Sequence, residues 1–239
     1  RILNMISFCI HLVIYLVPIF LYNKIFSNCK NIIYVSSPQL PAAYVSLLIA
    51  KAFKVPFILE IRDLWPQVLI EQGNKKKDSK IVKLFLWIEK ELYKNANKII
   101  ILSKGSEIHI KNKGGKNIFW LPNGPDLKKV RFQELPKENK RFDKNRPFRI
   151  LYSGAHGDAN DLINIINAAK ILKNEPILFY LYGDGTEKKK LIKISSNLNN
   201  IFFYKPVPKS EIFSKIKKCD AMIISLKDVP VFKYGVSPN

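Results

Sequence analysis

Short apolar runs and helix-like stretches alternate along nearly the whole chain, and nothing else in the sequence limits its fold so severely. Strands are expected at 31–36, 55–61, 98–102 and 117–121, and again at 148–152, 177–182, 201–204 and 221–226. Between them the spacing predicts helices at 40–54, 79–97 and 104–112, then at 160–172, 186–198 and 209–218. The helix over 79–97 is strongly amphipathic, with Ile81, Leu84, Phe85, Ile88 and Leu92 on one face. Short apolar strands separated by helices argue for parallel sheets, and so for an α/β fold. Pro122–Asp126 (PNGPD) is a turn signal. The stretch 128–147 is polar and charged with neither period clear, and reads as a connection between two βα arrays. Ligands of such sheets bind beyond the carboxyl ends of the strands. The strand ends, and the cleft between the arrays, are therefore where a site is expected.

At 239 residues and 47% hydrophobic content, the chain has material for one large or two modest domains. Its 40 Lys and Arg against 19 Asp and Glu give a formal charge of +21. That surplus suits a polyanionic partner: phosphorylated substrates, anionic lipid head groups or nucleic acid. Lys, Ile and Asn are all abundant, as in a protein from an AT-rich genome, and this bias contributes to the surplus. No arginine-rich arm or RNP-like aromatic motif is present, which puts nucleic acid behind the other partners. Cys9, Cys29 and Cys219 lack CxxC spacing, and His11, His109 and His156 lack HxxH or HExxH spacing. Neither a disulfide framework nor a metal site is expected, and a reducing compartment is.

Ile2–Tyr22 is apolar and about long enough to cross a bilayer, for which ~20 residues suffice. Asn4, His11 and Pro18 interrupt it, and Arg1 and Lys24 flank it. A span, a helix lying in the interface and a buried core helix compete. A signal peptide is not expected, since no small-residue cleavage site follows and a βα pattern begins at once. Of the three, the last two fit better, since the chain expected upstream would make this helix internal. The chain opens on Arg1 and closes on Asn239 in mid-pattern, so it is expected to be part of a longer protein.

Chemistry-bearing residues collect at the strand ends. Ser36, Ser37 and Pro38 follow the first strand, Glu60, Arg62, Asp63 and Trp65 the second, and Ser103 the third. A carboxylate beside a guanidinium at a cleft mouth can orient an acceptor hydroxyl or take its proton. The same residues would equally form an internal Arg62–Asp63 or Glu60–Arg62 ion pair, with Trp65 as packing. In the second array, Ser153–Asp158 (SGAHGD) forms a glycine-containing turn running into a helix, which presents free N–H groups to an anion. His156 would either add a hydrogen bond to a diphosphate or be a plain loop residue. Gly183–Gly185 (GDG) is a weaker turn signal, and Lys188–Lys190 reads as a solvated helix face. Neither a Walker pattern nor GxGxxG is present.

In their order, EIRDLWP, LPNGPD, LYSGAHGDAND, LYGDGTEKKKL, VPKSEI and KDVPVFKYGVSPN resemble the motifs of bacterial family-4 glycosyltransferases. More narrowly, the chain resembles the branch that adds sugars in O-antigen, capsule and exopolysaccharide synthesis, from about Asn31 onward. The resemblance implies the GT-B fold, two Rossmann-like domains with parallel sheets facing a cleft, both truncated here. The acceptor-side domain would be 1–135, the linker 136–147 and the nucleotide-sugar donor domain 148–239. It further implies a retaining, metal-independent enzyme without a cofactor. The donor would be a nucleotide sugar, most often UDP-linked, and the acceptor a polyprenyl-diphosphate-linked saccharide. Gly154, His156 and Gly157 would face the donor diphosphate. Gly183, Asp184 and Gly185, with Lys205 and Val207, would approach the nucleoside. Tyr234, Gly235, Ser237, Pro238 and Asn239 would approach the sugar and phosphates. Asp63 would sit near the reacting centre beside Arg62 and Glu60. The basic surface and apolar first helix would suit a peripheral enzyme on the inner face of the cytoplasmic membrane.

The chain also departs from that pattern. Its donor loop carries His156, Asp158 and Asn160 where many members have an Arg and a Lys, which leaves the phosphate cation to Lys233 or to a residue past Asn239. Arg62 stands where many members have His. The glycine-rich loop of the acceptor domain and the second acidic residue near the donor sugar fall outside the chain, so the chain by itself is expected to be inactive. A reading from another class is a non-catalytic basic module that binds anionic membrane or nucleic acid through net charge.

Overall fold

The computed structural model describes residues 2–27, 30–37, 39–71, 78–124 and 146–235. Pro38, most of the expected linker and Ser237, Pro238 and Asn239 lie outside them. Helix α1 (Ile2–Phe26) leads into β1 (Ile33–Ser36), α2 (Leu40–Phe53), β2 (Phe57–Ile61), α3 (Gln67–Glu71) and α4 (Lys80–Asn95). Then come β3 (Lys98–Ile101), α5 (Ser106–Asn112) and β4 (Ile118–Trp120). The strands form a sheet in the order β1-β2-β3-β4 with every pair parallel. Helical crossovers make that order possible, because parallel neighbours cannot be joined by a tight turn. Pro41 sits in the first turn of α2, where its missing N–H is harmless, and Lys54 ends the helix in the left-handed region at φ 55°. Ser79 caps α4, its hydroxyl accepting from the Val82 amide at 3.4 Å. Leu47, Phe57, Leu59, Leu92, Tyr93, Ile99 and Ile101 fill the core between sheet and helices.

The second set comprises β5 (Phe148–Ser153), α6 (Ile163–Ile171), β6 (Ile177–Tyr182), α7 (Lys188–Ile194), β7 (Ile201–Tyr204), α8 (Lys209–Ile216) and β8 (Ala221–Met222). These strands are again all parallel, in the order β7-β6-β5-β8. Leu162, Ile165, Ile166 and Ala169 pack against Phe179, Leu181 and Ile201 to form its core. The buried Asn200 amide donates to the Ala169 carbonyl at 2.9 Å, pinning the start of β7 to α6. Asp220 fastens the entry of β5: its carboxylate accepts both Arg146 guanidinium nitrogens (2.8 and 2.5 Å) and the Arg149 amide (2.8 Å). Arg146 thereby holds the Asp220 carboxyl below the ordinary Asp range, against the opposing effect of burial.

The α/β class with parallel sheets is as expected, but several elements differ from the sequence reading in instructive ways. Helix α6 begins at Ile163 rather than near 160, because a 3-10 turn at Asp158–Asn160 is followed by Asp161 in the left-handed region at φ 45°. Strand β8 stops at Met222 because the chain then turns to follow that 3-10 turn, Ser225 Oγ donating to the Asp161 carbonyl (3.1 Å) and the Lys227 amide to that of Ala159 (3.0 Å). The apolar face read for α4 divides: Phe85, Ile88 and Leu92 pack inward, while Ile81 and Leu84 stand about half exposed. Helix α1 is not a core helix here. It packs on α2 through Leu16, Val17 and Phe20, whose ring lies 5.2 Å from that of Phe53, and is otherwise largely exposed.

The described residues up to Gly124, together with those from Val229, form one compact unit, and those up to Asp228 form the other. The sequence division placed Val229 onward with the second array. The structure instead buries Val231 in the first unit's core, with its amide donating to the Glu71 carboxylate at 2.5 Å.

Candidate functional sites

At the carboxyl edge of the second sheet, two loops lock together through backbone contacts that admit no side chain. The Gly154 amide donates to the Tyr182 carbonyl (3.0 Å), that of His156 to the Asp184 carbonyl (2.8 Å), and that of Glu187 to the His156 carbonyl (3.0 Å). Gly183 sits at φ +149°, and a Cβ there would lie 1.8 Å from the Gly154 carbonyl oxygen. A Cβ on Gly185 would come within 2.5 Å of the His156 backbone. GDG is thus not a bare turn but the seat on which the first loop rests. Lys188, read as part of a solvated face, has its ammonium on the Gly183 (2.6 Å) and Tyr204 (2.8 Å) carbonyls, tying together the ends of β6 and β7. Lys205 is exposed and Val207 half-buried just past β7.

The His156 imidazole turns inward, fully buried, with the Tyr152 and Phe203 rings each 5.9 Å from its centroid. Neither ring nitrogen makes a hydrogen bond of ordinary geometry among the described residues, although the Tyr182 carbonyl lies nearby. Burial pushes its pKa below the usual imidazole range. The Lys188 ammonium adds to this, and the Asp184 carboxylate and Tyr182 carbonyl oppose it. His156 thus serves the loop seat through its backbone, whose amide and carbonyl pair with Asp184 and Glu187, while its ring stays inside. The amides of Ala155, Gly157, Asp158 and Ala159 donate to no other group among the described residues. Lys227 stands beside them in an ion pair with Asp158. The sequence reading passed over Lys227. Its only signal there was a place in the KDVPVFKYG stretch just past the last strand.

At the carboxyl edge of the first sheet, Arg62 and Asp63 are both exposed, and neither ion pair considered from the sequence forms among the described residues. The Arg62 amide donates to the buried Ser37 hydroxyl at 3.2 Å, which fixes the turn beyond β2. Glu60 lies on the other side of β2 from the buried Leu59 and Ile61, and its carboxylate, after burial, is the next cause raising the Tyr34 phenol. Segment 229–235 occupies this edge. The Ser103 hydroxyl donates to the Tyr234 carbonyl (2.8 Å), and Gly235, at φ +92°, leaves room for Ser103 Oγ where a Cβ would come within 2.0 Å. The Tyr234 ring meets His109 edge-on at 5.3 Å, and His109 Nε2 in turn contacts the buried Glu89 carboxylate at 3.0 Å, which Lys113 also pairs. The structure thus brings Arg62 and Asp63 together with Tyr234 and Gly235 in one cleft. The remaining cavity, about 40 Å³, has room for roughly one water. Lys233 is exposed.

A larger depression of about 300 Å³ lies at the opposite, amino-terminal edge of the first sheet, between Lys51, Lys54, Pro56 and Asn97. Size does not make it the better candidate, since ligands of open α/β sheets bind at the carboxyl edge. Among the described residues no three His, Cys, Asp or Glu side chains assemble as metal ligands.

No protein-family model matches the chain. Over 187 residues it is 28% identical to the putative colanic acid biosynthesis glycosyl transferase WcaI of Escherichia coli (strain K12), covering 70% of this chain and 44% of WcaI. Over 199 residues it is 23% identical to the probable glycosyltransferase WbjE of Pseudomonas aeruginosa, covering 79% of this chain and 48% of WbjE. The chain spans about half the length of the curated relatives it matches. Sucrose-phosphate synthase from Thermosynechococcus elongatus has a similar structure, with a TM-score of 0.62 at 13% identity over 90% of this chain and 55% of that one. Anabaena HepE in complex with UDP and glucose gives 0.57 at 14% identity over 81% and 52%. The fold is of the GT-B type, with two Rossmann-like units, and the chain is similar in sequence to glycosyltransferases.

Proposed function

We propose that this chain belongs to a retaining, metal-independent glycosyltransferase. It would move a hexosyl or N-acetylhexosaminyl group from a UDP-sugar to a polyprenyl-diphosphate-linked saccharide in cell-surface polysaccharide synthesis. The observation that carries this reading is the second unit's carboxyl edge, where Gly183 and Gly185 seat the 154–157 loop and amides 155 and 157–159 donate to no other group among the described residues. A diphosphate accepts hydrogen bonds from such amides, which stabilise the charge that grows on UDP as it leaves. Asp63, exposed at the first unit's carboxyl edge with Arg62 beside it, would orient the acceptor hydroxyl. The sequence similarity to WcaI and WbjE supports the reaction class, and the UDP held by HepE, which shares the fold, supports the donor. The enzyme would work as a peripheral protein on the cytoplasmic face of the inner membrane.

Calorimetric titration of the chain with UDP, CDP and ATP at moderate salt tests this reading. Selective UDP binding that persists in salt supports it. Affinity that collapses with salt and ignores the base would mean a basic module acting through net charge, and would sink it.

A further inference from the structure

Helix α4 hides a charge. Glu89 is completely buried, and its neighbours Ile88 and Leu92 belong to the apolar core. A carboxylate in such a place costs free energy unless other groups neutralise it and hydrogen-bond to it. Lys113, just past α5, gives its ammonium to Oε2, and His109 of α5 brings Nε2 to 3.0 Å from Oε1. An ionised carboxylate only accepts hydrogen bonds, so Nε2 carries the imidazole proton. The Tyr93 phenol, one turn further along α4, is held well above its ordinary range by burial and by this carboxylate. Lys113 alone would balance the charge. What His109 adds is a ring held at a fixed angle, and that ring meets Tyr234 edge-on at 5.3 Å.

Tyr234 comes from far along the chain, 131 residues after Ser103, yet its seat is fitted to it. The Ser103 hydroxyl donates to its carbonyl at 2.8 Å, and the Ser106 hydroxyl holds the Ser103 carbonyl at 2.7 Å. Gly105 lies against the Tyr234 backbone, where a Cβ would come within 2.4 Å of the carbonyl oxygen. Its φ is −61°, so the missing side chain serves this close approach and not a turn. We propose that Glu89 and His109 are a positioning pair: the carboxylate fixes the imidazole, and the imidazole, with Ser103 and Gly105, fixes Tyr234. Gly235 is thereby set down in the cleft that Arg62 and Asp63 line. Neither member of the pair is a catalytic residue. Their part is to determine where the chain beyond Gly235 starts. The purpose rests on the function proposed above, in which residues 234–239 approach the donor sugar and Asp63 the acceptor.

Hydrogen exchange in the whole chain tests the pair, read at the Val231 and Gly235 amides, which bond the Glu71 carboxylate and the Phe232 carbonyl. The Ile99 amide, bonded to the Asn117 carbonyl beside the sheet core, is the reference. His109→Gln keeps a donor for Glu89 and removes the ring. It should speed exchange at Val231 and Gly235 by roughly fivefold and leave Ile99 unchanged. Glu89→Leu frees the imidazole from its acceptor, and should speed the same two amides beyond any change at Ile99. Gly105→Ala displaces Tyr234 directly and gives the rates of the released segment. Nitrogen-15 spectra of the wild type should show His109 protonated at Nε2. A tie that only joins α4 to α5 would instead speed all these amides equally. That result in either variant, wild-type rates at Val231 and Gly235 in His109→Gln, or an imidazole unprotonated at Nε2 would overturn the pair. UDP titration of the same samples keeps the two readings apart. A wild type that fails to bind UDP would strike only the donor reading, and unchanged exchange in His109→Gln only this one.

Discussion

The carboxyl edges of the two sheets are built from the same parts, strand ends and glycine turns, yet they are closed differently. In the second unit one loop rests on another, backbone against backbone, with Gly183 and Gly185 removing the Cβ atoms that would hold them apart. The amides of residues 155 and 157–159 remain unused among the described residues. In the first unit glycine serves an opposite end. Gly235 lets a distant segment sit down on Ser103, and Tyr234 fills the edge that strand topology marks as the binding edge. Where a glycine lies therefore does not tell whether an edge is open; what packs on it does.

The sharpest way to break this comparison is to add one methyl group to each edge. Gly183→Ala meets a fixed backbone carbonyl at 1.8 Å in a conformation alanine resists, so both strain and clash fall on the loop seat. We expect UDP affinity to drop by roughly a hundredfold, and the second unit to lose about 3 kcal/mol in denaturant melts. Gly124→Ala, with open space around it, is the matched control and should change neither. Gly235→Ala meets the Ser103 hydroxyl, which can rotate away, and the Ser103 Cβ at 3.2 Å, in a backbone conformation that alanine resists, so about 1–2 kcal/mol of local stability is at stake. It should be read as faster hydrogen exchange at the Val231 amide, which now donates to Glu71. If Gly183→Ala leaves UDP binding intact, the second edge is not the donor seat.

Lys227 sharpens the comparison from the side of charge. Lys227→Met should lower UDP affinity by about tenfold while leaving the melt within about 0.5 kcal/mol, since its pair with Asp158 is solvent-exposed. Asp158→Asn should act in the opposite direction, because it removes a carboxylate that a diphosphate would have to face. Equal affinities across both variants would return the cation role to Lys233 or to residues beyond Asn239.

How far the sequence could be read depended on which interaction decided each feature. The strands at 177–182 and 201–204 match their expected bounds, because apolar runs flanked by turn residues are a local signal. The placement of Arg62 and Asp63 beyond β2, and of the SGAHG and GDG loops at the carboxyl edge of the second sheet, also followed from topology. Three features could not be read this way. The inward turn of His156 depends on Tyr152 and Phe203, the first on the strand before it and the second on another strand. The role of Lys188 depends on two carbonyls from other elements. The split apolar face of α4 was hidden because periodicity reports which residues share a helix face, not which part of that face the core covers.

The smallest effect, and the most specific, belongs to His156. Replacing it with Phe keeps an aromatic ring between Tyr152 and Phe203 and removes two buried nitrogens without hydrogen bonds of ordinary geometry. The second unit should therefore become more stable by roughly 1 kcal/mol at neutral pH. The pH dependence identifies the cause. Burial and Lys188 lower the folded pKa, so above the unfolded value of about 6.5 the ring is neutral in both states and the stability is fully present. As the pH falls below that value, the unfolded chain takes up a proton that the folded one refuses, and stability declines until the folded pKa is passed. Asp220 loses its contribution in the same direction but in a lower window, starting near the ordinary Asp value of about 3.9. Melts of the wild type should therefore show a loss just below neutrality that His156→Phe lacks, while both keep the loss at stronger acid. A slope that survives the substitution would mean that another group titrates there, and that His156 already has a partner in solution.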